Sequence, residues 1–125
     1  MLSTKPRVLL ADDSPDMVKA ISRLLALDCE IVGTVADGLA LLEAAQRLQP
    51  DAIVLDLSLP NLHGLELCRQ ITQRHPETRV IVFTASSDPD VRTRSFQAGA
   101  AGFVSKLEDE GDVLSAITTL CVDRG

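Results

Sequence analysis

The sequence contains very few aromatic residues and no long apolar run. Of its 125 residues, three are Phe and none is Trp or Tyr. Proteins that hold single strands of nucleic acid stack the bases on aromatic side chains, so this mode of binding is disfavoured. A membrane-spanning helix needs about 20 consecutive apolar residues, and no stretch of the sequence approaches that length. Residues 1–7 are polar, unlike the start of a secretory signal peptide.

Basic residues and cysteines are also scarce. Twelve Lys and Arg against 18 Asp and Glu leave a net charge of −6, so we expect no direct nucleic-acid binding by this segment. The three cysteines, Cys29, Cys68 and Cys121, lie far apart and form no C-x-x-C pair. They are interpreted as small buried side chains in a reducing compartment. The composition therefore predicts a cytoplasmic protein with no membrane contact.

Five short apolar runs alternate with five segments of helical length. The runs are mostly continuous and rich in β-branched residues, which is typical of strands covered by helices on both faces. They comprise Val8–Ala11, Ile31–Val35, Ala52–Leu55, Val80–Phe83 and the weaker Gly102–Val104. This β-α order predicts a single α/β domain with a doubly wound, five-stranded parallel sheet and right-handed crossovers.

Start and stop signals delimit the predicted helices. Ser14 or Asp13 can cap the first helix, Asp37 can cap the second, and Asp88 followed by proline is a strong start signal for the fourth. The pair His75-Pro76 ends the third helix. The last amphipathic stripe runs from Val113 to Cys121.

Ionisable or hydroxyl side chains stand at the ends of four predicted strands. Asp12 and Asp13 follow the first strand, Asp56 follows the third, Thr84 ends the fourth, and Lys106 follows the fifth. Each of these residues alone is typical of a turn, a helix cap or a solvated charge. The carboxyl ends of parallel strands, however, meet at one edge of the sheet, where ligands bind. The set as a whole therefore predicts a functional site.

The chemistry of these residues points to phosphoryl transfer. Carboxylates about 4–5 Å apart repel one another by roughly 4 kcal/mol per pair at an effective dielectric constant near 20, so a cation or a shared proton must offset them. Mg²⁺ prefers one or two carboxylates together with water and phosphate oxygens. Lys106 and Thr84 could then hold an anionic group beside the metal. Asp56 is the expected acceptor because its central strand lies between the acidic pair and Lys106.

The pattern resembles the receiver domain of bacterial two-component response regulators. The resemblance covers about residues 7–121. Its motifs are most similar to those of receivers that precede a LuxR/NarL-type helix-turn-helix domain. It implies a flavodoxin-like (βα)5 domain over residues 1–125, with no second domain in this chain. The response to phosphorylation would then be carried out by a partner protein or by a DNA-binding half outside this sequence. The matching segments are Leu10–Ser14, Val54–Pro60 continuing to Gly64, Val82–Ala85 and Gly99–Lys106.

The resemblance implies that Asp56 accepts phosphate from the phosphohistidine of a sensor histidine kinase. Asp13 would bind Mg²⁺ directly and Asp12 mainly through water, while the backbone carbonyl of Ser58 and the Asp56 carboxylate complete the protein ligands. In the family, such a protein phosphorylates and dephosphorylates itself and is not a turnover enzyme.

The resemblance also implies a switch. Thr84 and Lys106 would bind phosphoryl oxygens, and Phe103 would turn inward as Thr84 moves, although a plain core side chain is an equal interpretation of Phe103. Ser58 and Ser86 match positions that tune dephosphorylation, although both could be simple loop residues. The affected surface would be formed by the fourth helix, fifth strand and fifth helix. It would contact an output domain or a second copy in a homodimer and so control an output such as transcription.

One departure and three alternatives accompany the resemblance. Leu107 stands where the family usually has proline after a cis peptide bond, which predicts a different loop shape. A phosphatase of the haloacid dehalogenase type would need a D-x-D motif in place of Asp12-Asp13-Ser14. A nucleotide- or flavin-binding module would need a glycine-rich turn there. The third alternative is a pseudo-receiver adaptor that acts without phosphorylation, and such proteins lose an acidic residue or the lysine.

Overall fold

Five strands alternate with five helices along the whole described chain. The computed structural model describes residues 5–107 and 111–121; the remaining positions of the predicted 1–125 domain lie outside them. In chain order the elements are β1 (Arg7–Ala11), α1 (Pro15–Leu25), β2 (Glu30–Val35), α2 (Gly38–Leu48), β3 (Ala52–Leu55), α3 (Gly64–Arg74), β4 (Arg79–Thr84), α4 (Pro89–Gln97), β5 (Gly102–Ser105) and α5 (Gly111–Cys121). The predicted element order is confirmed.

All five strands pair in parallel in the order β2-β1-β3-β4-β5. The order reverses direction between β1 and β3, and this switch point opens a crevice beyond their carboxyl ends. The predicted doubly wound, flavodoxin-like α/β fold is therefore confirmed. Because β1 and β3 are adjacent, the residues that follow them are brought together although more than 40 positions separate them.

The sheet divides the core into two layers. On one face, alternate strand residues such as Leu9, Ile53 and Val82 pack against buried side chains of α2 and α3. On the other face, residues such as Leu10 and Ile81 pack against α1 and α5. Period-two alternation of strand side chains sends neighbouring residues to opposite layers, so strands buried on both faces are continuously apolar.

Three helices begin at residues whose side chains cap them, as the sequence predicts. Ser14, not Asp13, caps α1 and accepts a hydrogen bond from the Met17 backbone N–H at 3.3 Å. Asp37 caps α2, and Asp88 caps α4 with Pro89 in its first turn. These caps satisfy amide groups that have no partner within the helix.

The three cysteines are buried, as expected. Burial raises the pKa of the Cys29 and Cys68 thiols to about 11. They are therefore neutral core side chains at ordinary pH. Among the described residues, no helix has the length and hydropathy needed to cross a membrane.

Candidate functional site: an acidic cluster with a bridging lysine

The carboxyl ends of β1 and β3 carry the acidic residues of the site. Backbone hydrogen bonds hold both chain segments in place as they leave the sheet. The Asp56 N–H donates to the Ala11 carbonyl at 2.9 Å, and the Asp12 N–H donates to the Val35 carbonyl at 3.1 Å. Because these bonds continue the sheet pattern, the positions of Asp12 and Asp56 are set by the sheet.

Three carboxylates converge at this point. Each of Asp12, Asp13 and Asp56 offers an oxygen, and these oxygens all lie within 4.8 Å of one another. Asp56 is 3% exposed and Asp12 is 8% exposed, whereas Asp13 faces solvent. The convergence expected from strand order is thus present. Its repulsion, roughly 4 kcal/mol per pair at an effective dielectric constant near 20, requires compensating positive charge.

Local backbone turns supply part of that compensation. One Asp12 oxygen, Oδ1, accepts from the Ser14 N–H at 2.9 Å. The Asp56 Oδ1 accepts from the Ser58 N–H at 3.0 Å and from the Ser58 hydroxyl at 2.9 Å. The exposed Asp13 carboxylate accepts no hydrogen bond within residues 5–107 and 111–121. Asp13 is therefore the member of the cluster whose oxygens are most available to a ligand.

Lys106 bridges the two inner carboxylates. Its Nζ lies 2.7 Å from Asp12 Oδ2 and 3.1 Å from Asp56 Oδ2. Burial alone would lower the pKa of Lys106, but the hydrogen bonds and negative charges of Asp12 and Asp56 outweigh burial and raise it. The ammonium group is thus held charged, and it acts as the local counter-ion of the cluster.

Thr84 completes the inner wall of the site. It is the last residue of β4, is buried, and its hydroxyl oxygen lies 3.4 Å from Asp56 Oδ1. Its backbone carbonyl accepts from the Lys106 N–H at 2.7 Å, which ties the segment after β5 to the end of β4. The Lys106 ammonium also lies 5.6 Å from the centre of the Phe83 ring, within the range of a cation–π contact.

Two predicted site residues make their contacts away from Asp56. The Ser86 hydroxyl accepts from the Asp88 N–H at 3.1 Å, at the start of α4. Phe103 is half-buried in β5 and packs against the core layer of α2 and α3. The structure therefore brings Asp12, Asp13, Asp56, Ser58, Thr84 and Lys106 together and leaves Ser86 and Phe103 at the periphery.

The segment after Lys106 differs from the family pattern and still delivers the lysine. The Lys106–Leu107 peptide bond is trans, and the Leu107 N–H donates to the Ser105 hydroxyl at 3.1 Å. Leu107 itself is 73% exposed. The absence of proline therefore leaves the Lys106 contacts with both carboxylates intact.

Sequence reasoning missed one contact near the site. Arg92 of α4 lies over the rings of both Phe96 and Phe103. The spacing of Arg92 and Phe96 on one helix face was a readable signal, because residues four apart on a helix are neighbours. The contact with Phe103 depends on how α4 docks on β5, which no local pattern specifies.

The arrangement has the elements of a phosphoryl-accepting site. A buried carboxylate lies beside a second carboxylate and an exposed one, with an ammonium and a hydroxyl group on its other side. Phosphoryl transfer depends mainly on positioning and charge neutralisation, which such groups provide. The donor set of hard carboxylate oxygens also suits Mg²⁺.

Comparison with known proteins identifies one family across most of the chain. Residues 8–118 match the family model described as response regulator receiver domain. The response regulator GacA of Pseudomonas viridiflava is 34% identical over 113 residues, which cover 89% of this chain and 53% of that protein. A protein of Koribacter versatilis described as protein-glutamate methylesterase/protein-glutamine glutaminase 2 is 40% identical over 113 residues, covering 87% of this chain and 31% of that protein.

A solved structure agrees with these matches. The signal receiver domain of the putative response regulator NarL from Mycobacterium tuberculosis superposes with a TM-score of 0.89 and 29% identity, over 98% of this chain and all of that one. The matched part of the chain spans 31% and 53% of the lengths of these two curated relatives. The portion that this chain shares with its relatives is the receiver domain.

Proposed function

This chain belongs to the response regulator receiver domain family of two-component systems, and on that premise we propose that Asp56 is its phosphoryl acceptor. The donor is the phosphohistidine of a sensor histidine kinase. An Asp56 oxygen forms a bond to phosphorus as the N–P bond breaks, and the electron pair of that bond stays with the imidazole. The product is an aspartyl phosphate. The chain thus acts as a regulator that carries one phosphoryl group, not as a turnover enzyme.

The observation that carries this proposal is the environment of the Asp56 carboxylate. Asp56 is 3% exposed, yet Lys106 Nζ lies 3.1 Å from one of its oxygens and the Thr84 hydroxyl 3.4 Å from the other. Positive charge and a hydroxyl donor at these positions stabilise the charge that accumulates on phosphoryl oxygens. Pseudo-receivers lose an acidic residue or the lysine, so the presence of Asp12, Asp13, Asp56 and Lys106 together favours a working acceptor.

We further propose that the cluster binds Mg²⁺. The exposed Asp13 carboxylate supports a direct ligand role for Asp13, and the close contact of Lys106 with Asp12 at 2.7 Å supports a water-mediated role for Asp12. Asp56 and the backbone carbonyl of Ser58 are the other protein ligands of the proposal. When bound, Mg²⁺ supplies positive charge between the carboxylates and the incoming phosphoryl group.

The proposed switch links the site to a surface formed by α4, β5 and α5. Thr84 and Lys106 bind phosphoryl oxygens, and Phe103 moves inward as Thr84 turns. A population shift of this kind changes what the surface binds: an output domain controlling transcription, or a second copy of the chain. We place this signalling in the cytoplasm.

Two serines are proposed to tune how long the phosphoryl group persists. Ser58 is the more direct candidate, because its hydroxyl bonds Asp56 at 2.9 Å. Ser86 would act through the loop before α4, where its hydroxyl holds the Asp88 N–H.

The test is the intact mass of the full chain after incubation with acetyl phosphate and Mg²⁺. We expect the wild type to gain one phosphoryl group, labile to hydroxylamine, and Asp56→Asn to gain none while keeping its circular dichroism spectrum. Asp28→Asn, a matched change at an exposed position, should behave as wild type. Excess chelator should stop the gain.

The proposal fails if the folded wild-type protein gains no phosphoryl group, a result that favours the pseudo-receiver adaptor. It also fails if Asp56→Asn is labelled as fully as the wild type. Unchanged labelling in excess chelator would overturn the role of Mg²⁺ and leave the acceptor assignment in place.

A further inference from the structure

Arg92 lies between two phenylalanine rings on the surface formed by α4 and β5. Its guanidinium carbon is 5.4 Å from the centre of the Phe96 ring and 5.8 Å from that of Phe103. Both distances are within the range at which a cation is attracted to the face of an aromatic ring. Arg92 and Phe96 are exposed, whereas Phe103 is half-buried. One side chain therefore connects α4 to the β5 residue proposed to move.

The remainder of α4 has few apolar anchors. Within this helix, all of which is described, Ser95 is the one buried residue. Its hydroxyl donates to the Val91 carbonyl of the same helix at 2.8 Å, so this hydroxyl bond does not tie α4 to the sheet. The contact of Arg92 with Phe103 therefore joins the exposed face of α4 to a half-buried side chain of β5.

Phe103 is also close to the end of β4. The strand register pairs Phe103 with Val82 and Ser105 with Thr84. Side chains two residues apart on a strand share a face, so Thr84 lies on the same face of β4 as Val82, which packs in the same core layer as Phe103. The ring is thus one pairing step away from Thr84. A movement of the ring along this face changes its distance to both Thr84 and Arg92.

From these contacts we propose that Arg92 is a positioning residue that holds Phe103 against α4 and sets how often the ring moves toward Thr84. This inference rests on the proposed function, because it takes Phe103 as the switching residue. Moving the ring inward breaks its contact with Arg92 and leaves Arg92 on Phe96 alone. Loss of one exposed cation–π contact shifts such an equilibrium by about two- to fivefold. Removing the arginine therefore favours the inward position in the absence of phosphate.

The aromatic composition allows a direct test. The chain has three Phe, so uniform labelling with para-fluorophenylalanine gives three fluorine NMR signals, assigned by Phe96→Leu and Phe103→Leu. We expect Arg92→Gln to move the unphosphorylated Phe103 signal toward its position in the phosphorylated wild type. We also expect a roughly two- to fivefold faster initial rate of phosphorylation by acetyl phosphate. Arg92→Lys retains the cation and should restore most of the wild-type behaviour.

Arg94→Gln is the matched control. Arg94 lies on the same helix and is exposed, but it pairs with Asp90 at 3.1 Å instead of with a ring. The Arg94→Gln substitution removes one positive charge, as Arg92→Gln does. Any general electrostatic effect on the acetyl phosphate anion therefore appears in both variants. The Arg94 variant should keep the wild-type Phe103 signal, and any change in its rate measures the general effect of losing one positive charge.

Each outcome separates this inference from the proposed function. A wild type that gains no phosphoryl group refutes the proposed function. In that case a Phe103 signal that differs between Arg92→Gln and Arg94→Gln still supports the contact, and identical signals refute it. Equal spectra and rates for Arg92→Gln and Arg94→Gln refute the role of Arg92 even when Asp56 is phosphorylated. A Phe103 signal that moves away from the phosphorylated position would overturn it as well.

Discussion

Replacing Lys106 with methionine removes the positive charge from the centre of the acidic cluster. Methionine keeps an unbranched apolar stem of similar length, so the change acts mainly on charge. In the wild type the ammonium lies 2.7 Å from Asp12 and 3.1 Å from Asp56. In the variant these two carboxylates face each other without a protein counter-ion. We therefore expect a lower free energy of unfolding in metal-free buffer.

The magnitude follows from burial. The side chains of Lys106, Asp12 and Asp56 are 15%, 9% and 4% exposed, so solvent screens the contacts poorly. Removing one partner of a buried ion pair costs about 3–5 kcal/mol, because the other charge stays buried. Exposed Asp13 opens the cluster to water on one side, which places the expected loss near the lower end, about 3 kcal/mol.

Mg²⁺ should restore much of this loss. In the wild type the lysine already supplies positive charge, whereas in Lys106→Met the cation meets uncompensated carboxylates. Tighter binding to the folded state raises the free energy of unfolding, and a tenfold tighter dissociation constant adds about 1.4 kcal/mol under saturating metal. The variant should therefore gain more stability from Mg²⁺ than the wild type gains.

Urea unfolding followed by far-ultraviolet circular dichroism measures both effects, with chelator and with saturating Mg²⁺. Fluorescence is unsuitable because the chain has no Trp or Tyr. Lys19→Met, at an exposed position of α1, is the matched control and should change the free energy of unfolding by less than about 0.5 kcal/mol. The reasoning is refuted if Lys106→Met is as stable as the control in chelator, or if Mg²⁺ stabilises all three proteins equally.

Two further predictions concern the core and its packing. A Cβ at Gly64 would overlap the Leu57 carbonyl oxygen, whereas one at Gly102 meets its nearest neighbour at 3.5 Å. Gly64→Ala should therefore lower the free energy of unfolding in urea by about 2 kcal/mol or more and Gly102→Ala by clearly less, and equal losses would contradict the close approach. The pKa of the Cys29 and Cys68 thiols is raised from 9.0 to about 11 in the fold, so the folded state retains protons that the unfolded chain loses. Their contribution to stability should be full below pH 9 and decline as pH rises to 11; unfolding curves that are unchanged across this range in the wild type would contradict it.

Local patterns in the sequence are sufficient to predict the strands and helices. Strand β3 was predicted because Ala52–Leu55 is apolar at every position, and the structure buries all four residues. The start of α4 was predicted because Asp88 and Pro89 carry the chemistry of a helix N-terminus. Such signals depend on interactions within a few residues, which is why they can be read from the chain alone.

The residues of the site can be predicted from the sequence, but the contacts between their side chains cannot. That Asp12, Asp56 and Lys106 meet follows from the rule that parallel strands end at one edge of the sheet. That Lys106 bridges both carboxylates depends on the order β2-β1-β3-β4-β5 and on the loop after β5. Their roles, like those of Phe103, Ser58 and Ser86, stay predictions until phosphorylation is measured.

The β-α alternation, the α/β fold and the set of acidic, hydroxyl and basic residues at the strand ends all follow from the order of residues along the chain. Three contacts depend on the folded arrangement. The ammonium of Lys106 lies between Asp12 and Asp56, the Ser58 hydroxyl donates to Asp56, and Arg92 lies over the Phe103 ring. The difference lies in how far apart along the chain the interacting residues are. Helix caps and apolar periodicity act between neighbours in the chain, whereas these contacts join residues brought together only when strands pair and helices dock.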